Sequence, residues 1–96
     1  DPGTIFDRVW LTELVDRSLD RVRRRHASSG ETVALRVYED YELGPEADRP
    51  TYRELAGRLG ISEGDLKTHL FAVRREVRAE LRAEVPGPLL FGLRFL

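Results

Sequence analysis

Between Thr51 and Glu84 the apolar side chains recur at the spacing of two helices set end to end. Tyr52, Leu55, Ala56 and Leu59 make a first stripe. Leu66, Leu70, Val73, Val77 and Leu81 make a second, at steps of four, three, four and four, and such a stripe faces a core. Each stripe follows a hydroxyl-x-x-acid start, Thr51 with Glu54 and Ser62 with Asp65, the pattern of an N-terminal capping box. Gly60 comes directly after Leu59, where a helix can end in the left-handed conformation that glycine adopts without steric cost. A helix, a short glycine-containing turn and a second helix form a helix-turn-helix, with Ile61 plugging the angle. The second helix is expected over Glu63 to about Glu84, with Pro86 as its stop. Its polar face then presents Lys67, Thr68, Phe71, Arg75 and Arg78, with Gly64 near its start.

Upstream, Thr4 and Asp7 read as a third capping box. Phe6, Val9, Trp10, Leu14, Leu19 and Val22 recur at helical spacing, which predicts a helix from about Ile5 to about His26. Arg21, Arg23, Arg24 and Arg25 crowd its far end, where positive charge complements the helix dipole. They read as a solvated helix end in preference to a phosphate patch, and His26 reads as a helix-end residue. Ala27 to Gly30 is a loop by composition. The segment from Glu31 to Tyr41 is ambiguous. Val33, Leu35 and Val37 alternate as in a strand, whereas Ala34, Val37, Tyr38 and Tyr41 fit one helical face. A lone strand would leave its backbone groups unpaired, so a helix is expected. Gly44 to Pro50 forms a polar loop. Beyond Pro86, Gly87 and Pro88 the chain becomes strongly apolar, with Leu89, Leu90, Phe91, Leu93, Phe95 and Leu96. The expected fold is all-α: about four helices over residues 1–85 containing a helix-turn-helix, winged by an apolar C-terminal tail over 86–96 that packs on its own domain, on a second copy or on a partner.

Composition narrows the chemistry. The 96 residues contain no cysteine, so a disulfide framework or a cysteine zinc site is impossible. No apolar run is long enough for a bilayer and no secretion signal opens the chain, so no membrane role and a cytoplasmic location are expected. The chain begins Asp1-Pro2 and not with Met, which suggests a piece of a longer polypeptide. The formal net charge is -1, which argues against binding nucleic acid through bulk positive charge. Residues 1–50 hold eight basic and eleven acidic side chains, and residues 51–96 eight and six. Enzymatic chemistry has little to work with: the two histidines lie in different expected helices, no metal-ligand spacing surrounds them, and no cofactor is implied. Ser62, Asp65 and His69 resemble a catalytic trio on paper, but the first two are better used as caps.

The segment TYRELAGRLGISEGDLK resembles region four of the extracytoplasmic-function sigma factors of the bacterial sigma-seventy family. The usual pattern there is Tyr-x-Glu-Ile-Ala-x-x-Leu-Gly-Ile-Ser-x-Gly-x-Val-Lys. Tyr52, Glu54, Ala56, Leu59, Gly60, Ile61, Ser62, Gly64 and Lys67 match it, with Leu55 and Leu66 as aliphatic substitutes. VRREVRAELRAEV is similar to the Arg-rich extension that follows in one subset, and Phe6-Asp7-x-x-Trp10 to the start of the helix preceding region four there. The resemblance covers nearly all of the chain up to Val85. Its turn motif is shared with other helix-turn-helix families.

The resemblance implies an all-helical module that binds the minus-35 element of promoter DNA while docking on the flap of the RNA polymerase core. Carried over position by position, Glu63, Asp65, Lys67, Thr68 and His69 are the base-edge candidates, and Arg53, Arg58, Arg74, Arg75 and Arg78 the phosphate candidates. The chain departs from the subset at Phe71 and Ala72, where His-Arg is common, and at Asp65, where a small residue or Thr is usual. Region two, which melts the promoter and grips the polymerase, is not in these residues. A second function therefore stands beside promoter recognition. In it a degenerate sigma-like domain contacts an anti-sigma protein or another regulator, or forms a homodimer, through Phe71, Ala72, Leu90, Phe91 and Phe95.

Overall fold

The computed structural model describes residues 2–84, with side chains from residue 8 onward. Four α-helices follow one another: α1 Pro2–Ser29, α2 Val33–Glu42, α3 Tyr52–Leu59 and α4 Glu63–Glu84, with a 3-10 turn at Glu46–Asp48 ahead of α3. The described residues contain no strand, and the expected all-α class with four helices stands. The tail over 86–96, including Leu90, Phe91 and Phe95, lies outside the described residues.

α4 is the spine, touching each of the other three helices. Its stripe fills two adjoining layers of core. One layer joins Leu66 and Leu70 to Val37 of α2 and to Leu55 and Ala56 of α3, with Tyr38, Tyr41, Tyr52, Leu59 and Ile61 at its margin. The other joins Val73 and Val77 to Leu19 and Val22 of α1, with Val15, Ala34, Leu35, Tyr38 and Leu81 around it. Tyr38 borders both layers. The α2 face expected from sequence, Ala34, Val37, Tyr38 and Tyr41, is the face that packs.

The helix-turn-helix forms for the local reasons its sequence suggests. The Glu54 amide donates to Thr51 Oγ1 at 3.1 Å and the Thr51 hydroxyl to Glu54 Oε1 at 3.2 Å. The Asp65 amide donates to Ser62 Oγ at 3.0 Å. Gly60 takes φ +69°. From there the Ile61 amide donates back to the Ala56 carbonyl at 3.0 Å and the Gly60 amide to that of Gly57 at 3.4 Å. These two bonds make a Schellman stop, which satisfies two of the four carbonyls that a helix end leaves over.

Several expectations change at α1. The helix starts at Pro2, so Thr4 lies inside it and not at its cap. Ala27, Ser28 and Ser29 continue the helix, and only Gly30, at φ +76°, breaks it. Leu14, Leu19 and Val22 are buried, but Val9 is 55% exposed, since at 100° per residue it falls behind the face made by the others. Ser18 is fully buried, its hydroxyl donating to the Leu14 carbonyl at 2.9 Å, a bond that removes the cost of an unpaired buried polar group.

The Tyr38 hydroxyl is pushed above its ordinary value of 10.0 by burial first and by the Glu42 carboxylate second, with Arg74 and Arg23 opposing. A raised folded-state value means that the unfolded chain ionises first. This contribution to stability is intact below about 10 and is lost as pH climbs through the raised folded-state value. Urea midpoints measured between pH 9 and 11, roughly the range around a tyrosine's titration, are expected to fall in wild type and to fall less in Tyr38→Phe.

Candidate nucleic-acid interface

The charges on α4 are sorted by its helical rotation. Lys67, Phe71, Arg75, Arg78 and Arg82 follow one another at steps of four, four, three and four along one side of the apolar stripe, whereas Glu76, Glu80 and Glu84 run at steps of four along the other. α1 lies antiparallel against the acidic row with arginines at the same period. Arg25 reaches Glu76 at 3.5 Å and also pairs with Glu80. Arg21 lies 3.7 Å from Glu80 and pairs with Glu84, and Arg17 lies 3.7 Å from Glu84. Carboxylates at the C-terminal half of a helix oppose its dipole, and the arginine row offsets this. The basic run of α1 is solvated as expected from sequence, Arg21, Arg24 and Arg25 being exposed, but the helix continues past it to Ser29 and part of the run also pairs with α4. Arg21 and Arg25 are committed across the helix interface, and Arg23 lies 3.3 Å from Asp20 and 3.8 Å from Glu39.

His26 belongs to the same interface. It is 6% exposed. Its Nε2 donates to Glu76 Oε2 at 3.0 Å, and its Nδ1 lies 3.0 Å from the Glu31 carbonyl oxygen. It ties the end of α1, the turn after it and the middle of α4 together. Sequence reading placed His26 at a helix end but missed this role, because Glu76 lies fifty residues along the chain.

The base-edge candidates divide. Glu63, Asp65, Lys67 and Thr68 are exposed at the start of α4. Thr68 already donates its hydroxyl to the Gly64 carbonyl at 3.0 Å, leaving its lone pairs outward. Lys67 Nζ sits 5.9 Å above the Tyr52 ring, within reach of the attraction between a cation and an aromatic face. His69 is set apart: it is half-buried and lines a hollow with Ile61 and the residues from Gly30 to Ala34. It thus lies on the flank turned toward the α1–α2 turn.

The phosphate candidates divide as well. Arg53, Arg75 and Arg78 are exposed, and among the described residues they enter no ion pair; the same holds for Lys67 and Arg82. Arg58 stands 3.9 Å from Glu54, one turn back, a contact of little energetic weight in water. Arg74 is engaged inward. Its Nε donates to Glu42 Oε1 at 2.6 Å and its Nη2 pairs with the same oxygen, while the guanidinium lies 5.8 Å from the Tyr41 ring and 5.6 Å from that of Phe71. Burial alone would lower its affinity for the proton, but the Glu42 hydrogen bond and charge outweigh it and raise the value. Arg74 is a clamp between α4 and α2.

Of the interface candidates within the described residues, Phe71 is 46% exposed and Ala72 is half-buried. One residue that sequence reading left aside, Arg49, joins this surface through Tyr41. The Arg49 guanidinium lies 5.0 Å from the Tyr41 ring, and the Tyr41 and Tyr52 rings stand 5.0 Å apart, tilted by 53°. The signal in sequence was slight, an arginine ahead of a proline. Among the described residues no group of three or more His, Cys, Asp or Glu could hold a metal ion, and no helix is long and apolar enough to cross a membrane. No family model, curated protein or solved structure compared with the chain matches it.

Proposed function

We propose that this domain binds duplex DNA, with α4 as a recognition helix in the major groove, and that it acts in promoter recognition as the resemblance to sigma region four implies. The observation that carries the reading is the sorting of charge. The three acids of the second half of α4 are neutralised by α1, and Glu42 by Arg74. The basic row is left to face water beside the capped start of the helix. A net charge of -1 thus hides one surface suited to phosphates. In this reading Lys67 and Thr68 address base edges, Arg53, Arg75 and Arg78 hold the backbone, and a polymerase flap docks elsewhere on the helical body. Asp65 is the unfavourable element, repelled by phosphate unless it accepts a hydrogen bond from a cytosine amine.

Fluorescence anisotropy with a duplex carrying a minus-35 element tests this. Affinity is expected to fall steeply with salt, and Arg75→Ala and Arg78→Ala are each expected to reduce the log–log salt slope by about one unit. Equal and negligible binding to promoter and random duplex at low salt would sink the reading. One observation favours a second function: Phe71 is the large apolar side chain of α4 left half in water. A protein-contact domain that meets a regulator there would lose its partner on Phe71→Ser and be indifferent to salt.

A further inference from the structure

The approach to the helix-turn-helix holds one more cation in a fixed place. Pro50 disfavours the helical region for the residue before it, and Arg49 is extended accordingly, at φ -62° and ψ 122°. Its amide closes the 3-10 turn by donating to the Glu46 carbonyl at 3.2 Å. The side chain is exposed, yet its guanidinium lies 5.0 Å from the Tyr41 ring. Asp40 and Asp48 border the same hollow as Arg49, but among the described residues Arg49 enters no ion pair. Its position is set while its charge stays open to a ligand.

Tyr41 and Tyr52 link this cation to the start of α4. The two rings stand 5.0 Å apart; Arg49 lies against the first and Lys67 Nζ 5.9 Å above the second. Tyr41 is held from its other side by Arg74, whose guanidinium lies 5.8 Å from the ring and donates to Glu42. One aromatic bridge from α2 to α3 thus carries a cation at either end. A helix in a major groove lies between two phosphate backbones, and the helix ahead of it crosses one of them. Arg75 and Arg78 stand about two and three turns beyond Lys67 along α4, whereas Arg49 stands at the entry to α3. We propose, on the DNA-binding reading above, that Arg49 is a further phosphate contact, to the backbone that α3 crosses, and that Tyr41 is its positioning residue. The ring restrains the guanidinium before DNA arrives, so less side-chain freedom is lost on binding.

Anisotropy titrations across a salt series, with a minus-35 duplex and a random duplex, test both roles. Arg49→Gln is expected to reduce the log–log salt slope by about one unit and to weaken binding to the two duplexes by the same factor, since a phosphate contact carries no sequence information. Arg49→Lys is expected to keep the slope. Tyr41→Leu is expected to weaken binding about two- to fivefold in the wild-type background and to have no effect in Arg49→Gln, with helical circular dichroism unchanged. Upfield ring-current shifts of the Arg49 side-chain protons in the free protein, retained in Tyr41→Phe, check the stacking without a destabilising change, and their absence overturns the role of Tyr41. A wild-type slope in Arg49→Gln beside a reduced one in Arg75→Ala overturns the proposal and leaves the DNA-binding reading standing. So does a loss confined to the minus-35 duplex, or a Tyr41→Leu loss of equal size in both backgrounds. No binding of either duplex by the wild type removes the DNA-binding reading and this contact with it.

Discussion

Leu70→Ala is expected to cost about 2–5 kcal/mol of unfolding free energy, a large part of the roughly 5–15 kcal/mol that holds a small domain together. Leu70 is fully buried where α2, α3 and α4 meet, so truncation leaves a cavity bounded by Val37, Leu55 and Leu66 that rigid helices cannot close. The urea midpoint should fall with the slope unchanged. The neighbouring substitution Phe71→Ala makes the comparison sharp. Phe71 is 46% exposed, and its removal should change stability by no more than about 0.5 kcal/mol. Equal losses at the two positions would mean that the rotation of α4 differs from that described.

Glu76→Leu is the second large effect, expected at about 1–3 kcal/mol. The carboxylate accepts from the buried His26 ring and lies 3.5 Å from Arg25. Leucine leaves the His26 Nε2 buried without an acceptor. Glu80→Leu removes a carboxylate paired with Arg21 and Arg25, both about half exposed, and should cost less than about 1 kcal/mol. Chemical denaturation of both variants, with His26→Ala and the His26→Ala/Glu76→Leu pair, completes a double-mutant cycle. If Glu76 and Glu80 prove equally costly, His26 is not what sets the value of this contact.

The helix-turn-helix was legible in sequence because its determinants are local. Thr51, Ser62 and Gly60 act on backbone groups within three or four residues of themselves, and the stripe from Leu66 to Leu81 fixes the rotation of α4 without reference to the rest of the fold. The α2 helix could be chosen over a strand from one global consideration, the missing partner strand, and its packing face then followed from Ala34, Val37, Tyr38 and Tyr41. The pairing of Arg21 and Arg25 and the tie made by His26 were not legible in sequence because their partners, Glu76, Glu80 and Glu84, lie fifty or more residues away. Each side taken alone reads as a charged helix surface. The clamp made by Arg74 was hidden for the same reason: nothing near it in sequence announces Glu42. The candidate interface was therefore legible in its exposed residues and opaque in those that the tertiary fold had already engaged. The all-helical architecture does not by itself choose among functions.

The ladder between α1 and α4 repeats every four residues on both sides, so it behaves like the teeth of two matched combs. Sliding α1 by one turn would sacrifice a single rung and keep the rest, and charge alone would tolerate several alignments. His26 has no such repeat. Val22 precedes it by one turn and Gly30 follows it by one turn, so a slipped helix would bring an apolar side chain, or no side chain at all, to Glu76. The histidine is thus the key that allows one tooth position, and its removal should broaden the native state into neighbouring alignments before it unfolds it.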